Sequence, residues 1–203
     1  METRIATLIS YLFHPILIPL YTVLFFLNAG IYFSMFMTME AKLIMITTFL
    51  ITTIILPLLV MLVLTRKKLI NSFSLVTREE RIYPLLIITL FYYLTYYLLK
   101  GIHVSFILSF FMLGSTFLSI LALIITFYLR ISLHMIGMGG LLGMLIGLSA
   151  NISVNLFIPI LVVLFLSGLT GFARLKNDSH KPLEIYTGFL LGGVVMFLLF
   201  VLV

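Results

Sequence analysis

The segment Arg174-Leu-Lys-Asn-Asp-Ser-His180-Lys-Pro-Leu-Glu184 brings together one histidine and two acidic residues with three basic ones, in a chain that holds only four histidines and six acidic residues. Pro182 suits the first turn of a helix. A helix starting there puts Glu184 one turn from His180, close enough for its carboxylate to orient the imidazole through a hydrogen bond. The helix N-terminus adds free amide donors and partial positive charge, which favour an anion such as phosphate.

A second stretch, Arg130-Ile-Ser132-Leu-His134, precedes a glycine-rich apolar run. Ser132 is an N-cap type that would aim helix amides at the same place. A third, Arg78-Glu79-Glu80-Arg81-Ile82-Tyr83-Pro84, offers two guanidinium forks suited to phosphate oxygens, although charged clusters of this kind are more often solvated helix caps. His14 lies within an apolar run beside Pro15, and an ionisable group inside the membrane is a functional candidate by default; it is expected to support the site. His103 reads as an ordinary interfacial histidine.

The elements that must carry these residues follow from composition. The 203 residues are 63% hydrophobic and 9% charged, with a mean hydropathy of +1.32, whereas charged residues make up about a quarter of soluble domains. Seven apolar stretches, at roughly 7–29, 42–64, 82–99, 104–128, 134–150, 153–172 and 184–203, match the roughly 20 residues that one helical crossing needs. Barrel strands would be about 10 residues long and alternating. The fold class is therefore an all-α polytopic bundle of about seven transmembrane helices, expected as a single domain over 1–203. The first stretch is too long for the apolar core of a signal peptide and reads as a retained helix. Cysteine is absent, which excludes disulfides, thiolate metal sites and cysteine nucleophiles. Gly139, Gly143 and Gly147, like Gly188 and Gly192, recur every fourth residue, a spacing that lets helix backbones approach closely in lipid.

Because successive spans alternate in direction, the N-terminus and the segments after the second, fourth and sixth spans share one face. Arg4, Arg66, Lys67, Lys68, Arg78, Arg81, Arg130, Arg174, Lys176 and Lys181 fall there, and only Lys42 and Lys100 fall opposite. The tendency of Lys- and Arg-rich loops to stay cytoplasmic accounts for part of this bias. It does not account for His134, His180, Asp178 and Glu184 gathering at the same face, which a functional site explains.

These residues resemble the motifs of the type 2 phosphatidic acid phosphatase superfamily of membrane lipid phosphatases. Its third motif, S-R-x5-H-x3-D, is matched by Ala173, Arg174, His180 and Glu184. Its second, P-S-G-H, is similar to Ile131-Ser132-Leu133-His134, and its first, K-x6-R-P, is loosely met by Arg78, Arg81 and Pro84. The likeness spans about residues 78–193. It departs from the family in Glu184 for Asp, Ala173 for Ser, Leu133 for Gly and the lack of the first-motif lysine. The resemblance implies that His180 attacks phosphorus to form a phosphohistidine, Glu184 orients it and His134 protonates the leaving alcohol. Arg174, Arg81, Arg78, Ser132 and Arg130 would hold the phosphoryl oxygens.

The expected activity is hydrolysis of a lipid phosphate or diphosphate in the cell (inner) membrane, without metal or cofactor. The expected partners are the lipid phosphate substrate and membrane lipids, with no nucleic acid. A metal site built from His134, His180 and Glu184 would lack an H-E-x-x-H pattern, and the cationic surroundings repel a divalent ion. The alternative is a membrane transporter or a protein that binds lipid phosphate without turnover. Against transport stand the lack of an internal repeat, of paired interrupted helices and of acidic residues within the spans.

Overall fold

A computed structural model describes residues 2–28, 37–68, 78–102, 106–151 and 155–202; these are helical or in short connections, with no strand among them. In chain order the helices are α1 (Glu2–Leu12), α2 (Ile18–Asn28), α3 (Met39–Phe49), α4 (Leu56–Arg66), α5 (Arg78–Ile102), α6 (Phe106–Thr126), α7 (Leu133–Asn151), α8 (Phe157–Lys176) and α9 (Pro182–Val201). They compose seven spans long and apolar enough to cross a membrane, the first two each built from two helices. Large apolar side chains such as Ile158, Phe165 and Leu190 point outward, as helices apolar all round do when lipid is their solvent. The chain is a multi-pass membrane protein of all-α architecture.

Two spans are interrupted, which hydropathy did not reveal. In the first, α1 ends at Leu12 and a 3-10 turn at Pro15–Leu17 precedes α2. Pro15 lacks an N–H and pushes its predecessor out of helical geometry, and His14 is extended (φ −62°, ψ 136°), its Nδ1 accepting from the Ile16 amide at 3.4 Å. In the second, a π-helical stretch at Leu50–Ile55 joins α3 to α4 just before Pro57. The wider turn carries the chain past a proline that cannot donate to the ladder. Thr48, Thr52 and Thr53 turn their hydroxyls onto carbonyls one turn back, so none meets lipid unsatisfied.

The described residues cluster in two compact units, one of 19–128 and one of 1–18 with 129–203. In the first, α5 packs along α6. Hydroxyls join its helices, Thr95 to Thr52 at 2.7 Å and Thr89 to Ser119 at 2.9 Å.

In the second unit α7 and α9 lie side by side and parallel, flanked by α8, with α1 on α8. The glycine spacing has its expected consequence. A methyl group on Gly139 would strike the Phe189 carbonyl, on Gly143 the Gly193 carbonyl, and on Gly192 the Ile136 carbonyl. Asn151 ties the far ends together by donating to the Phe200 carbonyl at 2.8 Å. Parallel packing brings the starts of α7 and α9 to one end, where the Ser132 amide donates to the Glu184 carbonyl at 3.1 Å.

Candidate functional site

His180 owes its place to how α8 stops and α9 starts. The last turn of α8 closes through Asp178, which takes a positive φ of 48°, so that the Asp178 and Ser179 amides donate back to Leu175 and Arg174. Asp is among the residues that tolerate this conformation at a helix end. Asp178 is exposed and serves the turn. Three residues later α9 opens with Lys181 at its cap, Pro182 in its first turn and Glu184 reaching back to the cap amide. Glu184 Oε2 accepts from the Lys181 N–H at 3.2 Å and from His180 Nδ1–H at 2.8 Å. The His180 side chain is 3% exposed. Donating Nδ1–H to a carboxylate selects the tautomer whose lone pair is on Nε2.

His134 sits in the first turn of α7. Ser132 begins that helix with its carbonyl, which accepts from the Met135 and Ile136 amides. The expected side-chain cap does not form, since Ser132 Oγ is buried without a hydrogen-bond partner. His134 Nε2–H donates to the Ser10 carbonyl at 3.1 Å, and His14 presents its ring edge-on to the His134 ring at 5.2 Å between centroids. Arg174, His14 and His180 lie near His134, and Arg130 lies near Glu184. Six of the sequence candidates, His180, His134, Glu184, Arg174, Ser132 and Arg130, thus occupy one neighbourhood, and His14 joins them.

Four polar atoms there, Ser10 Oγ, Arg130 Nε, Ser132 Oγ and Arg174 Nε, are buried with no hydrogen-bond partner. A buried polar group left unsatisfied costs about 1–3 kcal/mol, more for a charged one. Guanidinium N–H groups and hydroxyls are the donor types that bind a tetrahedral oxyanion. Among the described residues no three His, Asp or Glu side chains are grouped so as to hold a metal ion.

Arg78 and Arg81 belong to the 19–128 unit, at the start of α5. Arg81 is buried, with an interaction of its own. The Arg78 side chain and His103 lie outside the described residues. Sequence reading missed Ser10. Its contact is a backbone carbonyl given to a residue 124 positions away, for which the sequence carries no signal. No family model matches the chain, and neither a curated protein nor a solved structure matches it.

Proposed function

We propose that this protein removes phosphate from a lipid phosphate or diphosphate at the head-group plane of the cell membrane, through a phosphohistidine on His180. The observation that carries the reading is the His180–Glu184 pair at 2.8 Å beside unpartnered donors of Arg130, Arg174 and Ser132. The Nε2 lone pair of His180 attacks phosphorus, forming the P–N bond as the P–O bond to the lipid breaks. Glu184 holds the ring as it becomes cationic. The guanidiniums and the Ser132 hydroxyl receive the charge that spreads over the phosphoryl oxygens.

His134 protonates the departing oxygen. Its Nε2–H is given to the Ser10 carbonyl, so the step uses the imidazolium form of His134, whose second proton, on Nδ1, passes to the departing oxygen. Water then attacks the phosphohistidine and gives a proton back to His134 Nδ1, the P–N electron pair returns to His180 Nε2, and inorganic phosphate leaves.

One observation favours a second reading, non-catalytic binding or transport: the first span breaks at His14, beside the candidate site, as substrate-binding spans of transporters do. Purified protein incubated with lipid carrying labelled phosphate, chelator present, distinguishes the two. Wild type is expected to acquire acid-labile label and release phosphate, and His180→Ala to do neither. His134→Ala, lacking only a proton donor, is expected to be slowed by about 10²- to 10⁴-fold and to regain the first step with a leaving group that needs no proton. Tight binding without label or release would support the transport reading.

A further inference from the structure

A groove of about 370 Å³ opens on the surface of the unit that holds His180, between α8 and α9, with Met135 of α7 among its walls. Leu164, Gly168, Gly171 and Leu175 form its α8 wall and Tyr186 stands on its α9 side. The hydroxyl of Ser167, its polar side chain on α8, is spent on the Val163 carbonyl. The lining is otherwise apolar, so the groove suits hydrocarbon rather than water.

Glycine creates the space. At Gly139, Gly143 and Gly192 an added methyl would hit a neighbouring backbone, whereas at Gly168 it would meet nothing within 4 Å, and at Gly171 only ordinary contacts near 3.6 Å. No close helix approach requires glycine at these two positions, although glycine costs a helix interior about 1 kcal/mol relative to alanine. Their effect is to leave the face of α8 concave.

Position says what fills it. The eleven steps from Leu164 to Leu175 rise about 16 Å at 1.5 Å each, close to half of a hydrocarbon core about 30 Å thick. A groove of that length, beginning at the polar end of the unit, matches a chain from one leaflet; a partner protein's transmembrane helix would need the full span. On each wall a groove residue adjoins a site residue in sequence, Leu175 after Arg174, Ile185 after Glu184 and Met135 after His134. Tyr186, exposed at the mouth, is a residue type that favours the head-group level.

We infer that this groove holds one hydrocarbon chain of the phosphorylated lipid whose head group meets His180, so that the substrate enters laterally and carries a chain long enough to reach the bilayer centre. This rests on the lipid-phosphate reading of the site, and its test does not depend on turnover. A photoreactive hexadecylphosphonate, which cannot be hydrolysed, is cross-linked to the protein in phosphatidylcholine nanodiscs and the labelled peptides are identified. Label is expected on 164–175, falling about tenfold in Gly168→Phe and about tenfold for the matching hexadecanol probe, which lacks the anionic head. Leu175→Trp, blocking the upper end of the groove, repeats the test if Gly168→Phe does not yield folded protein.

Undiminished label in the groove variants, or equal label from the alcohol, would mean that bulk lipid alone occupies the groove and would overturn the inference. Turnover of long-chain phosphatidic acid is measured on the same preparations. Groove labelling without turnover overturns the phosphatase reading and leaves the groove assignment standing, while turnover without groove labelling does the reverse.

Discussion

At the scale of residues, Glu184 has two jobs that substitution can separate. Its carboxylate accepts from the Lys181 amide, completing the helix start, and from His180 Nδ1. Glutamine can still take the amide bond of a capping box but has no charge with which to hold an imidazolium. Glu184→Gln is therefore expected to keep a melting temperature near wild type while phosphate release falls by about 10² or more, within the range for loss of an acid–base contribution. Glu184→Ala should lose both, with about 1 kcal/mol of cap stability gone. Equal activity of wild type and Glu184→Gln, measured as phosphate release at saturating lipid, would show that the carboxylate only caps the helix. His134 has a comparable dependence on its partner, but there the partner is a backbone carbonyl of α1 that no side-chain change removes.

At the scale of elements, the parallel pair α7 and α9 is the frame of the site. Both helices begin at one end because the Ser132 amide bonds the Glu184 carbonyl there and Asn151 bonds the last turn of α9 at the other. The glycines between them set the separation. Gly143→Val would force apart two backbones in contact at Gly193, and overpacking of this kind costs about 1–3 kcal/mol or more. Thermal unfolding in detergent should show a lowered transition for Gly143→Val and an unchanged or slightly raised one for Gly168→Ala, whose methyl meets nothing and which gains helix propensity. The every-fourth-residue pattern was legible because it is periodic along one helix. The exemption of Gly168 was not, since the sequence does not say which glycines face another backbone.

At the scale of the molecule, α9 crosses the membrane from the site end to the far end in one run of 20 residues. A reporter inserted after Ser179 and one fused after Val203 are therefore expected to lie on opposite sides, read by protease or alkaline phosphatase accessibility. Agreement between the two reporters would contradict the span. The same pair identifies the side on which His180 works. Ten of the twelve Lys and Arg residues share that face by alternation of the spans, a bias that favours the cytoplasm. Basic residues recruited to bind phosphate would carry no such preference, and a reporter separates a charge bias set by insertion from one recruited for phosphate.

Seven spans and an all-α class were determined by the sequence alone, because lipid leaves a chain this apolar no other way to satisfy its backbone. The His180–Glu184 pair was also legible, since a helix opened by Pro182 places Glu184 in its first turn, from which it reaches back to the residues just before the helix. Contacts through space were decided only by the tertiary structure. His134 meets the carbonyl of Ser10 across 124 positions of chain, and this depends on α1 packing against α8 and stopping short of His14. The unpartnered atoms of Arg130, Arg174, Ser132 and Ser10 are likewise a property of what surrounds each side chain after folding. Hydropathy averages over a window and therefore registers a span while passing over the break at Pro15 and the π-turn before Pro57. Those departures are local backbone choices, and neighbouring helices settle them by supplying partners for the groups a break sets free.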